Sequence, residues 1–380
     1  MTKKRRNLFC ARILCASILF SLAAPVSAEE TASAVSVKAP EYVLMEPETG
    51  TVILEKDKDV PRSPASVTKV MTLLLIFEEI EKGNLKLDDT VTTSTHAKSM
   101  GGSQVFLEEG ETQTVETMIK CIVIASGNDA SVAMAEHIAG SEPEFVNAMN
   151  KKAQALGMKN THFVDCCGLT DSDDHYTTAY DIALMSRELI RKYPEILNYS
   201  SVWMDTITHN TRQGSKEFGL SNTNRLIRTY EGCVGLKTGS TSKAKFCVSA
   251  VAKRKGITLI AVVMAAPDSR TRVKDASMLF DYGFAKCSLY TDENPGKLPD
   301  LKVIKGIKEK TTLTFGKTFR CLSTDGTTFD KIKKKLILPN EVKAPVKKGQ
   351  KAGELVYYQE NRELGRIPVI YAENVKKAGY

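Results

Sequence analysis

Arg62-Ser63-Pro64-Ala65-Ser66-Val67-Thr68-Lys69-Val70-Met71-Thr72-Leu73-Leu74-Leu75-Ile76-Phe77 is the stretch on which the fold turns. Pro61 and Pro64 punctuate a loop, and from Ala65 to Lys82 the chain reads as a helix. Its centre, Val70 to Phe77, is apolar on every side, so this helix is enclosed by other elements instead of lying on a surface. Lys69 stands one turn inside it, where an ammonium is costly without a partner or a task. Ser66, three residues earlier, shares its face. A serine hydroxyl is a weak nucleophile until a neighbour takes its proton, and a lysine whose pKa is lowered by burial can do so.

Outward from this helix, Tyr42–Leu44 and Val52–Leu54 read as strands joined by a turn at Glu48-Thr49-Gly50. Helices are expected over Thr114–Ile124, Ala130–Ile138, Pro143–Leu156 and Thr178–Lys192, the last capped by Thr177 or Thr178. The period then changes to two. Gly232–Thr238, Lys245–Ala252 and Ile257–Ala265 read as strands, and a helix follows over Arg270–Tyr282. Strands at both ends around a helical insert give an α/β (α+β) sandwich, an antiparallel sheet faced by helices. Beyond a Pro/Gly/Asp-rich break come Val303–Ile304, Thr311–Phe315, Lys335–Leu338, Glu354–Gln359 and Arg362–Tyr371, with a tight turn at Thr324-Asp325-Gly326-Thr327. These short strands make a small all-β domain. The expected organisation is a targeting segment 1–28, a main domain 29–290, a linker 291–299 and a β domain 300–375.

The 380 residues suit two domains, and 42% hydrophobic with 26% charged residues excludes a disordered or polytopic membrane chain. The net charge of +8 is unevenly spread. Residues 1–28 hold five basic and no acidic residues, 29–295 hold 29 and 36, and 296–380 hold 19 and 9. The head, with Lys3-Lys4-Arg5-Arg6, the apolar run Leu8–Leu22 and Val26-Ser27-Ala28, reads as a secretory signal peptide. The mature protein is therefore expected outside the cytoplasmic membrane. Of nine cysteines, Cys10 and Cys15 fall in the signal; the other seven, an odd number that includes adjacent Cys166 and Cys167, are expected to be mostly free thiols. Five His and no C-x-x-C pair predict no metal site.

Two further motifs occur once each. Ser126-Gly127-Asn128 is the only S-x-N, on a break between helices, and Lys237-Thr238-Gly239 is the only K-T-G, at the end of a strand. Singly, each reads as well as a capping loop or a strand running into a turn. Together, in the order S-x-x-K, S-x-N, K-T-G, they carry far more. The set resembles the serine penicillin-recognising enzymes, and within them the low-molecular-mass D-alanyl-D-alanine carboxypeptidases. Ser126-Gly127-Asn128-Asp129-Ala130, Gly235-Leu236-Lys237-Thr238-Gly239-Ser240 and the run from Cys167-Gly168-Leu169 to Asp181-Ile182-Ala183 share the likeness.

That resemblance implies a β-lactamase/transpeptidase-like sandwich with a C-terminal β domain. It implies Ser66 as nucleophile on a peptidoglycan stem peptide ending D-Ala-D-Ala, Lys69 as general base and Ser126 as proton relay. Asn128 would hold the substrate amide, Lys237 supply positive charge, and Thr238 bind the terminal carboxylate beside Gly239. Backbone N–H groups of Ser66 and Ser240 would form the oxyanion hole. β-Lactams would acylate Ser66, no cofactor or metal is implied, and Arg270 or Arg272 stands where an assisting arginine occurs. A class A β-lactamase would use an additional Glu, and 157–185 contains none. A non-catalytic wall-binding protein has no use for the intact Ser66, Lys69, Ser126 and Lys237. Nucleic-acid binding rests on the basic tail alone and lacks a module. That tail is expected instead to meet an anionic membrane or wall polymer.

Overall fold

The computed structural model describes residues 35–212 and 214–379, so the expected signal peptide lies outside the described residues. In chain order the main domain runs β1 (Glu41–Glu46), β2 (Thr51–Lys56), a 3-10 turn (Ala65–Thr68), α1 (Lys69–Glu81), β3 (Thr90–Thr92), α2 (Thr95–Lys98), β4 (Thr112–Thr114), α3 (Val115–Val123), α4 (Asn128–Ala139), α5 (Glu142–Ala155) and α6 (Ala179–Lys192). It continues with α7 (Ile196–Ser200), β5 (Met204–Thr211), β6 (Gly214–Ser221), α8 (Leu226–Thr229), β7 (Cys233–Thr241), β8 (Lys245–Arg254), β9 (Ile257–Ala266) and α9 (Ser269–Lys286).

Five antiparallel strands form the central sheet in the order β2-β1-β9-β8-β7. β1 is buried along its whole length because both faces of the sheet are covered. Val43 and Met45 join one core with α1, α3, α4 and α6, through Leu73, Ile76, Met118, Met134 and Met185. The alternate residues Tyr42 and Leu44 join a second core against Leu279 and Phe280 of α9. The first residues of α1, Lys69 to Phe77, are buried without a break, as an all-round apolar helix requires. The N-cap of α6 is Thr178, whose hydroxyl accepts from Asp181 N at 3.0 Å.

Three differences from the sequence expectation have physical causes. The helix expected from Ala65 begins as a 3-10 turn, because Ala65 holds a left-handed φ of 48° and only from Lys69 does α-helix follow. The β5–β6 hairpin is absent from the sequence reading. Its strands are largely exposed, with Ile207, His209 and Leu220 their buried residues, so they carry no apolar alternation. The strand expected over Thr311–Phe315 divides at Thr312, whose N–H and hydroxyl donate to Glu373 at 3.3 Å instead of entering a ladder.

The β domain comprises β10 (Ser288–Asp292), β11 (Leu301–Ile304), β12 (Lys310–Thr311), β13 (Leu313–Phe315), β14 (Phe319–Ser323), β15 (Ile332–Ile337), β16 (Glu341–Lys343), β17 (Lys351–Gln359) and β18 (Arg362–Tyr371). Its largest sheet runs β13-β18-β17-β15, and β10 pairs with β14. Strand pairing therefore carries through Thr291 and Asp292, into the stretch expected as linker. Asp292 is buried there, accepting from Tyr357 Oη at 2.9 Å and pairing with Lys334 at 2.6 Å. Phe319 stacks on Tyr357 with ring centroids 3.7 Å apart, the centre of a small separate core. All seven described cysteines are free thiols. Among the described residues no helix is long and apolar enough to cross a membrane.

Candidate active site

The left-handed Ala65 and the tight turn after it lift Ser66 to the surface of the main core, half-buried, while Lys69 is wholly buried beneath it. The ammonium donates to Ser66 Oγ at 3.1 Å, Asn128 Oδ1 at 2.6 Å and Cys167 O at 2.7 Å. Three protons meet three acceptors, which is how α1 tolerates a lysine among its apolar residues. Burial pushes the Lys69 pKa down, against the opposing pull of the Asp165 and Asp129 carboxylates. A lysine so placed surrenders a proton more readily than one in water.

Ser126 lies in the loop between α3 and α4, 3% exposed and at a left-handed φ of 62°. Such a conformation costs a non-glycine residue about 1 kcal/mol or more and persists only where its surroundings impose it. Asn128 opens α4, with its amide already engaged: Oδ1 accepts from Lys69 and Nδ2 donates to Gly101 O at 2.7 Å. Asp129 accepts from Val105 N, Leu107 N and Ala130 N, fastening the 103–107 loop to the start of α4.

β7 is the edge strand of the sheet and lies beside the 3-10 turn. Lys237 is buried within it, its ammonium donating to Thr238 O at 3.0 Å. Burial pushes its pKa far down, and the Lys69 and Arg272 cations add to the shift. Thr238 Oγ1 sits 2.7 Å from Thr223 Oγ1. Ser240, the next position but one, is exposed. A Cβ on Gly239 would stand 2.7 Å from Pro64 O, 2.8 Å from Ser66 N and 2.9 Å from Val67 N. Only a glycine lets the strand come this close to backbone that cannot yield. Gly239→Ala is therefore expected to part β7 from the turn, cost on the order of 1–3 kcal/mol and slow acylation far more than it lowers Tm. Stopped-flow acylation and thermal melting of the same preparation check both halves.

Several residues that sequence reading leaves without a role now have one. Cys166 and Cys167 act through their carbonyls: Thr72 Oγ1 donates to Cys166 O at 2.5 Å, and Lys69 to Cys167 O. Asp165 gathers the N–H groups of Cys167, Gly168 and Thr170. Gly168, at φ 75°, presses so near the turn that a Cβ would meet Ala65 O at 1.9 Å. His175 Nδ1 accepts from Val164 N at 3.1 Å, so its proton sits on Nε2, 2.8 Å from Thr68 Oγ1. Burial holds its pKa down and keeps the ring neutral. Of the two candidate arginines, Arg272 is buried and donates to Gly239 O and Cys247 O at 3.3 and 3.2 Å, while Arg270 is exposed. Arg272 acts through the Gly239 carbonyl, and its buried Nε has no partner among the described residues. Among the described residues no three His, Cys, Asp or Glu converge as metal ligands.

Ser66, Lys69, Asn128, Lys237, Thr238 and Gly239 are thus drawn around one cleft edge by α1, α4 and β7. Residues 28–268 match the D-alanyl-D-alanine carboxypeptidase family, and 292–377 match the penicillin-binding protein 5 C-terminal domain. D-alanyl-D-alanine carboxypeptidase DacF of Bacillus subtilis (strain 168) is 43% identical, over 90% of this chain and 87% of its own. D-alanyl-D-alanine carboxypeptidase DacC of Escherichia coli (strain K12) is 32% identical, over 93% of this chain and 88% of its own. The crystal structure of penicillin binding protein 5 from Haemophilus influenzae superposes with a TM-score of 0.67 at 29% identity, covering 90% of this chain and 98% of that one.

Proposed function

This chain belongs to the D-alanyl-D-alanine carboxypeptidase family, and on that premise we propose that Ser66 opens the D-Ala-D-Ala bond of a peptidoglycan stem peptide through an acyl-enzyme. The observation that carries the reading is the Lys69 ammonium, buried and 3.1 Å from Ser66 Oγ. Deprotonated, Lys69 takes the hydroxyl proton as Oγ attacks the penultimate D-Ala carbonyl. The oxyanion is assigned to the N–H groups of Ser66 and Ser240; the close approach of Gly239 to Ser66 N supports the Ser66 half of that pair. Removing one such donor costs about 3 kcal/mol in acyl transfer. Ser126 returns the proton to the departing D-Ala nitrogen. Asn128 holds the substrate amide while steadying Lys69. Lys237 and the Thr238 hydroxyl bind the terminal carboxylate, and water then releases the shortened peptide. A β-lactam presents the same carbonyl and carboxylate and stops at the acyl stage.

The test is incubation with a stem pentapeptide ending D-Ala-D-Ala and mass spectrometry of the product. Loss of one alanine supports the reading, whereas an unchanged peptide beside rapid penicillin hydrolysis makes the protein a β-lactamase. The role of Lys69 has its own test. Because its pKa is lowered, the neutral base is populated closer to neutrality, and acylation rises with pH through that lowered value. Lys69→Arg, which keeps the charge but cannot give up its proton, is expected to lose this rising limb along with activity.

We further propose that 1–28 is a secretory signal, which puts the enzyme on the extracytoplasmic side, and that 29–290 and 300–375 are its two functional domains. The β domain serves as a foot toward an anionic membrane or wall polymer. Supporting this, Lys305, Lys347, Lys348, Lys376 and Lys377 are exposed around Ile307, which is 62% exposed; Ile307 N donates to Lys376 O, and Gly306 bridges Lys377. Sedimentation of the full chain with anionic vesicles or with wall sacculi at low salt tests it. Failure to pellet with either removes the foot.

A further inference from the structure

Phe106 is 62% exposed and holds a left-handed φ of 62°, an unusual pairing for a bulky apolar residue. Its conformation is imposed from both sides, since Val105 N and Leu107 N donate to the buried Asp129 carboxylate. The ring meets Phe218 edge to face, centroids 5.8 Å apart, and Phe218 in turn meets His209 at 5.5 Å. Phe106, Glu108, His209, Lys216 and Phe218 line a groove of about 400 Å³.

His209, in the wall of this groove, has a buried ring nitrogen without a partner among the described residues. His209 is 8% exposed, and its Nδ1 lies 2.8 Å from Glu111 Oε1, so the ring proton is directed at that carboxylate. The other Glu111 oxygen accepts from Glu108 N at 2.9 Å. His209 Nε2 is buried and unmatched among the described residues, and in the neutral ring it is an acceptor. An unmatched buried acceptor costs about 1–3 kcal/mol, a cost that a ligand supplying a donor would relieve.

Both walls of the groove run into the catalytic cleft. Ser103 O accepts from Asn128 N, and Phe106 follows three residues later, within about 11 Å even if the chain is fully extended. From the other wall, β6 leads to Thr223 and its contact with Thr238. A stem pentapeptide spans up to about 18 Å, so a group at its far end can reach this groove while its terminus occupies the cleft.

Aromatic faces beside a buried acceptor are the chemistry that receives a pyranose, whose C–H face lies on a ring while a hydroxyl or acetamido N–H donates. We propose that the Phe106–Phe218–His209 groove is a saccharide subsite for an amino sugar of the glycan strand that bears the stem peptide. The proposal rests on the carboxypeptidase reading of the cleft. It makes the enzyme selective for glycan-attached stems over free peptide.

The experiment compares kcat/KM on a free stem pentapeptide with kcat/KM on the same pentapeptide carried by its N-acetylated disaccharide. Wild type is expected to prefer the disaccharide form by roughly fivefold to tenfold, chiefly through KM, the scale of a single aromatic contact. In Phe106→Ala, and in Phe106→Asn, whose side chain suits a left-handed φ, that ratio is expected to fall to about one. A wild-type ratio near one overturns the subsite, and so does a preference that survives both variants in folded protein. Failure of the underlying reading looks different: neither substrate would release alanine.

Discussion

Ser66→Ala is expected to fold as the wild type does and to lose at least roughly 10⁴-fold in kcat, together with all covalent capture of a fluorescent penicillin. The loss is large because no other group can take the place of the nucleophile at the head of the turn. The fold survives because the deletion is small and the surroundings stay satisfied. Lys69 keeps two of its acceptors, Asn128 Oδ1 and Cys167 O, and the left-handed turn depends on Ala65, Gly168 and Gly239. Intact-protein mass spectrometry after β-lactam treatment gives the readout. Wild type gains the mass of one β-lactam and Ser66→Ala gains none, at unchanged Tm. A variant that is still acylated would move the nucleophile to another hydroxyl of the cleft, Ser126 or Ser240, and overturn the assignment.

How much of this site is legible in the sequence depends on the kind of contact involved. Ser66 and Lys69 can be paired because three residues in a helical segment return to one face, and the buried setting follows from Val70–Phe77. Ser126-Gly127-Asn128 and Lys237-Thr238-Gly239 become legible only as members of an ordered set, since each alone fits an ordinary turn. Their meeting is a tertiary fact: Asn128 reaches Lys69 across 59 positions of chain and Gly239 abuts Ser66 from the far edge strand. The support of the site is not legible at all. Cys166 and Cys167 contribute carbonyl oxygens, which every residue possesses, so their side chains mislead. His175 acts on Thr68 from 107 positions away. The β5–β6 hairpin is missed for a related reason: in β5 the exposed Thr206, Thr208 and Asn210 alternate with Ile207 and His209, and with a histidine among the inward residues the apolar mark of period two is too slight to read. In the β domain, strand order is invisible because each short strand buries only a few residues on one side.

Lys237→Met is expected to make the protein more stable and nearly inactive, and the size of both effects follows from one placement. Lys237 is wholly buried, makes one hydrogen bond, to Thr238 O, and stands within the field of two further cations, Lys69 and Arg272. Among the described residues nothing further offsets its desolvation. Methionine fills the same length of strand without charge, and a gain on the order of 1–2 kcal/mol is expected, as at other sites where function is bought with stability. The gain has a defined pH dependence. The folded-state pKa lies well below the ordinary 10.5, so between those two values the unfolded chain binds more protons than the folded one. Wild-type stability therefore rises with pH across that window. Lys237→Met removes this part of the slope, so its advantage is largest at or below the lowered pKa and vanishes above about pH 10.5. Urea denaturation of both proteins near pH 6 and near pH 10 measures the difference directly. On the stem pentapeptide, loss of the cation from the carboxylate site is expected to cost on the order of 10²–10³ in kcat/KM. A variant that is destabilised at every pH would mean that Lys237 is held by interactions beyond its bond to Thr238 O. A variant that keeps its rate would mean that Thr238 and the backbone of β7 carry carboxylate binding without it.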